Sequence, residues 1–83
     1  MAKKSPQHAG NASLVCLGET IRRIRIELGV SQEGLALKAE LDRSYVGGIE
    51  RGEHNLSFMN LVKIAESLGL TPSELLKKVA CSP

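Results

Sequence analysis

The chain has 83 residues, with 11 Lys and Arg against 9 Asp and Glu and a net charge of +2. That length supports one small domain with a barely sufficient core. The mild charge excludes a polycationic tail, so the placement of the cations must carry any case for a nucleic-acid partner. With one Tyr, one Phe and no Trp, the core falls to Leu, Ile, Val and Ala, which favours packed helices over a sandwich. Dimerisation would bury more apolar surface and add stability.

Residues 1–12, "MAKKSPQHAGNA", are polar and read as a disordered arm. Lys3 and Lys4 are its cations. The stretch has no apolar h-region, and no apolar run in the chain approaches the roughly 20 residues of a membrane span. The expectation is a soluble cytoplasmic protein with no membrane partner. Cys16 and Cys81 stand far apart, without a CxxC or a paired His. They are expected as reduced thiols and not as a metal site or a disulfide framework.

The domain is expected over residues 13–80, followed by a tail at 81–83. Ser13 can cap a first helix whose stripe is Leu14, Leu17, Ile21, Ile24 and Leu28, with Gly29 as the stop. Ser31 caps a second helix that turns Leu35, Ala36 and Ala39 inward. A connection of a few residues around Glu40, Leu41 and Asp42 leads to a third helix over about 43–51. Two short helices joined this tightly make a helix-turn-helix. In the third helix Val46 and Ile49 point inward, and Gly52 ends it. "GEHN" is a loop. Ser57 caps a fourth helix with the stripe Phe58, Leu61, Ile64, Ala65 and Leu68, which Gly69 ends. "TPSE" is a capping box with Pro72 at the first helical position, opening a fifth helix with Leu75, Leu76 and Val79. The fold class expected is an all-α, compact five-helix domain.

The run "GVSQEGLALKAELDRSYVGGIERGEHNLSFMNLVKIAESLGLTPSEL" resembles the helix-turn-helix family of lambda repressor and Cro, the XRE family. The likeness extends from about Leu17 to Leu76. It rests on "SQ" opening helix 2, "LA" four residues after Ser31, "SYV..IERG" in helix 3, the Ser57 cap and "IAESLGLTPSEL". Stand-alone members of this size look like phage repressors or the controllers of restriction–modification systems, and "LDRSYVGGIERGEHN" looks closer to the controller group. Two departures stand out. Gly34 replaces an acidic or polar residue, and Gly47 and Gly48 stand where many members carry Ser, Lys, Arg or Gln.

The resemblance implies sequence-specific binding of double-stranded DNA by a small homodimeric transcriptional regulator of bacterial or phage origin, associated with the nucleoid when bound. In such a motif helix 3 lies in the major groove. If Val46 and Ile49 face the core, residues 43, 44, 47 and 48 face the DNA. Arg43 can then bond guanine O6 and N7 together. Ser44 can donate or accept, and Tyr45 can lie against a sugar, a phosphate or a thymine methyl. Gly47 and Gly48 would clear the second turn of the reading face, letting backbone or thymine methyls come close. The competing reading is that these glycines serve only close packing. Each costs about 1 kcal/mol of helix propensity relative to Ala.

Family position implies phosphate contacts at Ser31, Gln32, Arg51, His54 and Asn55, with Ser31 acting first as a cap. It also implies an ion pair between Arg25 and Glu50 that sets the angle of helix 3. Leu70, Leu76 and Val79, with Met59 or Val62, are partly surplus to a single stripe and make the expected dimer surface on a palindromic operator; the competing reading is that helix 5 only closes the monomer core. The isolated His8 and His54 accompany no nucleophile or carboxylate cluster, so no enzyme, metal or cofactor is implied. Activation would need a contact with RNA polymerase, which no short motif announces. The alternative is an antitoxin or adaptor that uses the same fold to hold a protein partner, favoured by a reading face thinned of side chains.

Overall fold

The computed structural model describes residues 10–79 as five helices: α1 Ala12–Glu27, α2 Gln32–Ala39, α3 Arg43–Glu50, α4 Phe58–Ser67 and α5 Pro72–Lys77. Lys3, Lys4, His8 and Cys81 lie outside the described residues.

The helix starts follow from cap chemistry. Ser31 Oγ accepts from the Gly34 N–H over 2.9 Å, and Ser57 Oγ accepts from the Asn60 N–H over 3.1 Å. Asp42 caps α3 through Oδ1, which accepts from the backbone N–H and the hydroxyl of Ser44, each over 2.9 Å. Thr71 and Glu74 complete the capping box in both directions. Each cap satisfies a donor that the helix leaves unpaired. The start of α1 differs from expectation. Asn11 is the cap, with Oδ1 accepting from the Ser13 and Leu14 N–H groups, and the helix begins one residue before Ser13. The Gly10 N–H donates to the Gly52 carbonyl over 3.2 Å, so residues 10–12, expected in the arm, are tied to the domain.

Ile21, Leu35, Val46, Ile64 and Leu75 are fully buried, one from each helix, and Ile24, Ala36, Ala39, Ile49, Ala65 and Leu68 complete the core. Ala36 and Ala39 let α2 lie close to its neighbours. Two expected core residues face outward: Leu28 is 54% exposed and Phe58 69% exposed. Leu28 is the C-cap residue of α1, beyond its last turn, and Phe58 is the first residue of α4, so both overshoot the edge of the core. Cys16 is disulfide-bonded, which corrects the expectation of a reduced thiol there. No described helix is long and apolar enough to cross a membrane.

Two glycines set the geometry around α3. Gly18 is buried in the middle of α1, and a Cβ there would collide with the Ile49 carbonyl and stand 2.6 Å from the Glu50 carbonyl oxygen. Helices α1 and α3 therefore meet backbone to side-chain-free backbone. Gly52 has φ +76°, and a Cβ there would stand 2.6 Å from Val15 Cγ2. Its freedom in the left-handed region allows the chain to leave α3 beneath α1. The turn between α2 and α3 uses Glu40 at φ 57°, the sole non-glycine with positive φ among the described residues.

Gly18→Ala should destabilise the fold by ~1–3 kcal/mol, the range for overpacking against atoms that cannot move aside. Urea unfolding followed by circular dichroism measures it. A change below the experimental error would show that the α1–α3 crossing is looser than described.

Candidate nucleic-acid interface

The position of α3 is fixed from below by a charged group inside the protein. Arg25 Nε donates to Glu50 Oε2 over 2.7 Å, and Arg25 Nη2 donates to Glu50 Oε1 over 3.0 Å. The two side chains are 10% and 2% exposed. Arg25 Nη1 also donates to the Val30 carbonyl over 2.9 Å, tying the pair to the α1–α2 turn. The hydrogen bond to Glu50 raises the Arg25 pKa above its ordinary value, against the opposing effect of burial. The bidentate geometry is what makes a buried pair tolerable.

Gln32 joins the same carboxylate. Its Nε2 donates to Glu50 Oε1 over 3.0 Å, so α1, α2 and α3 all bond to one side chain. The Gln32 amide nitrogen has a second N–H that this bond does not use. No described buried side-chain nitrogen or oxygen lacks a partner.

Above this frame lies the face expected to read DNA. Arg43 is exposed at the first position of α3, and Ser44 is half-buried beside it with its hydroxyl turned to Asp42. Tyr45 is half-buried and packs against the core cluster. The glycines do not leave open backbone as expected: Gly47 and Gly48 are both buried. A Cβ on Gly47 would stand 3.2 Å from Arg51 Nη1 and 3.7 Å from Gln32 Oε1. A Cβ on Gly48 would stand 2.6 Å from His54 Cδ2 and 3.5 Å from Glu53 Oε1. Side chains from α2 and from the loop after α3 fill the space that the glycines vacate. The packing reading of the two glycines matches this geometry.

The loop is also braced. The His54 and Tyr45 ring centroids lie 5.0 Å apart at an interplanar angle of 46°. Asn60 Nδ2 donates to the Tyr45 hydroxyl over 3.0 Å. Arg51 Nε and Nη2 donate to the Glu53 carboxylate over 2.9 and 3.2 Å. That hydrogen bonding raises the Arg51 pKa, and the Arg51 side chain stays 62% exposed. Asn55 is exposed. Ser31 is exposed and occupied as a cap. Glu53, Asn60 and Gly18 were not among the expected site residues. Only the type of Asn60 signals anything in sequence, as a polar residue in the first turn of a core helix.

Of the residues expected at a dimer surface, Met59 and Leu76 are exposed, and Val62, Leu70 and Val79 are half-buried. Phe58 joins Met59 on the exposed side of α4. No described group of His, Cys, Asp and Glu could hold a metal.

Residues 21–75 match the helix-turn-helix family. The chain belongs to that family. It is a helix-turn-helix DNA-binding transcriptional regulator of the XRE, lambda-repressor-like type. It is 43% identical over 60 residues to the control protein C.BamHI of Bacillus amyloliquefaciens, covering 71% of this chain and 74% of that one. It is 41% identical over 63 residues to the control protein C.MunI of a Mycoplasma species, covering 75% and 85%. Among solved structures it superposes on the restriction–modification controller protein C.AhdI of Aeromonas hydrophila with a TM-score of 0.75. The identity there is 50%, covering 77% of this chain and 97% of the other. These helix-turn-helix relatives are control proteins, not enzymes.

Two predictions come from the frame and the caps. Glu50→Ala strands the buried Arg25 charge and should cost ~3–5 kcal/mol, read as a lowered urea midpoint. A loss under 1 kcal/mol would mean that water reaches the guanidinium. The Asp42 and Glu74 carboxyls are both held below the ordinary carboxylate range, each mainly by the backbone N–H it accepts from. A depressed folded pKa contributes stability that is complete above the ordinary carboxylate pKa of about 4 and is lost as pH falls through the folded value. The Asp42→Asn, Glu74→Gln double variant should therefore flatten the fall of melting temperature below about pH 4. An unchanged acid limb would assign that fall to other carboxylates.

Proposed function

We propose that the chain is a homodimeric, sequence-specific operator-binding regulator of the restriction–modification controller type, with α3 in the major groove. One observation carries the reading. The Arg25–Glu50–Gln32 cluster fixes α3 against α1 and α2 while Arg43 stays exposed at its N-terminal end. The first turn of a recognition helix is where side chains reach base edges.

Arg43 reads a guanine, and Ser44 and Tyr45 complete the first-turn contacts. Ser31, Gln32, Arg51, His54 and Asn55 hold the phosphate backbone. Gln32 is suited to that because its spare N–H belongs to an amide already anchored on Glu50. Arg51 brings an exposed cation, although Glu53 shares its charge. Control proteins such as C.BamHI and C.MunI supply the functional class by likeness. The two protomers meet through Leu70, Leu76 and Val79 with Met59 and Val62, and Phe58 extends that apolar surface. The operator is a palindrome whose half-sites lie about one helical turn apart, ~34–36 Å. Activation from it would add a contact with RNA polymerase. The antitoxin or adaptor alternative loses its main support, because side chains of Gln32, Arg51 and His54 cover the glycines.

Selection from random duplex DNA at physiological salt, followed by sequencing, is the test. The expected result is a palindromic motif, with a log–log salt slope near −0.9 for each phosphate contacted. Arg43→Ala should cost ~1–3 kcal/mol and relax one position per half-site. Equal weakening on every sequence would make Arg43 a phosphate contact. A folded, concentrated protein that enriches no motif would favour the protein-binding module instead.

A further inference from the structure

Tyr45 is the single tyrosine of the chain, and it is held from three directions. Its ring packs on the core cluster. The His54 imidazole lies 5.0 Å away, in space that exists because residue 48 has no Cβ. At the hydroxyl end, Asn60 Nδ2 donates to the phenol oxygen over 3.0 Å. Asn60 is itself fixed in the first turn of α4 by the Ser57 cap.

A phenol has one proton to give and an oxygen that can accept. Asn60 supplies a donor to that oxygen, so the Tyr45 proton must be given elsewhere. We propose that Asn60 is a positioning residue that makes Tyr45 a hydrogen-bond donor toward the operator, so that Tyr45 selects a base edge presenting an acceptor. The inference rests on the operator-binding reading above. In the major groove guanine offers O6 and N7 and thymine offers O4, whereas cytosine offers only the N4 donor. With one acceptor site of its oxygen taken by Asn60, Tyr45 meets a base best as a donor, so it favours guanine, thymine or the adenine N7 over cytosine, which offers no acceptor. His54 on one side and the core on the other keep the ring from swinging to a different edge.

The polarity can be reversed by one substitution. In Asn60→Asp the amide donor becomes a carboxylate, which only accepts. The phenol proton then goes to the carboxylate, and the Tyr45 oxygen is left to accept.

The test compares motifs selected by the full-length wild-type chain, Tyr45→Phe, Asn60→Asp and Asn60→Ala, with competition binding at the affected position. Tyr45→Phe should lower discrimination against cytosine there roughly tenfold, the scale of one directed hydrogen bond. Asn60→Asp should invert the preference toward cytosine or the adenine N6 edge, with the Arg43 position unchanged. Asn60→Ala should weaken the preference only while Tyr45 is present, adding nothing in the Tyr45→Phe background. This second comparison decides the matter if Asn60→Asp does not fold. The chain has no Trp, so ultraviolet emission also reports Tyr45 without DNA, and a carboxylate at residue 60 should quench it.

An Asn60 variant that weakens binding equally on all sequences, or leaves that base position untouched, overturns the inference and makes Asn60 a structural or phosphate-side residue. Unchanged tyrosine emission in folded Asn60→Asp overturns the contact itself. A wild-type chain that selects no motif overturns the operator reading and this inference together. A motif insensitive to Asn60 overturns the inference alone.

Discussion

A single carboxylate holds the three helices of the amino-terminal half in register. Glu50 receives two hydrogen bonds from Arg25 on α1 and one from Gln32 on α2. Apolar packing is non-directional, and a core built almost wholly of aliphatic side chains leaves helix angles loosely specified. A charged group that must keep three donors in place tolerates far less rotation, because any lost bond leaves a desolvated polar atom. The same crossing carries Gly18. It lies seven residues before Arg25, two helical turns away on the same face of α1. One face of α1 thus supplies close backbone approach at one level and an ionic anchor at the next, both directed at the end of α3.

That frame explains how a short helix with two glycines stays helical. Gly47 and Gly48 forfeit propensity, but α3 does not rely on propensity. Asp42 fixes its start, Glu50 fixes its end, and Val46 and Ile49 fix its inner face. The outer face is then covered by Gln32, Arg51 and His54 rather than by its own side chains. Arg43, at the exposed start, is the largest side chain that α3 itself turns outward.

Much of this was legible in the sequence, for reasons that can be named. Ser31, Asp42, Ser57 and Thr71 mark helix starts because each places a short oxygen-bearing side chain before an apolar period. Gly29, Gly52 and Gly69 mark the ends and all have positive φ. The family likeness supplied the Arg25–Glu50 pair, which spacing alone could not. The misreadings have physical causes. Asn11 and Ser13 are both able caps two residues apart, and periodicity does not choose between them. Leu28 and Phe58 continue their stripes by step, yet a stripe does not announce where the opposing surface ends. Gly18 gave no signal, because a glycine inside a helix is silent about what approaches it. The covering of Gly48 depends on how the loop returns over α3, and "GEHN" encodes that only through contacts made after folding.

The seat of His54 over Gly48 also bears on how this surface could change over time. Any side chain added at 48 displaces the imidazole, and with it the ring that braces Tyr45. A larger residue at 48 becomes tolerable only when 54 shrinks or turns away. The two positions therefore form one steric unit shared between a helix and a loop. In descendants of this sequence they are expected to drift together: a lineage that regains a side chain on the second turn of α3 would do so by giving up the histidine.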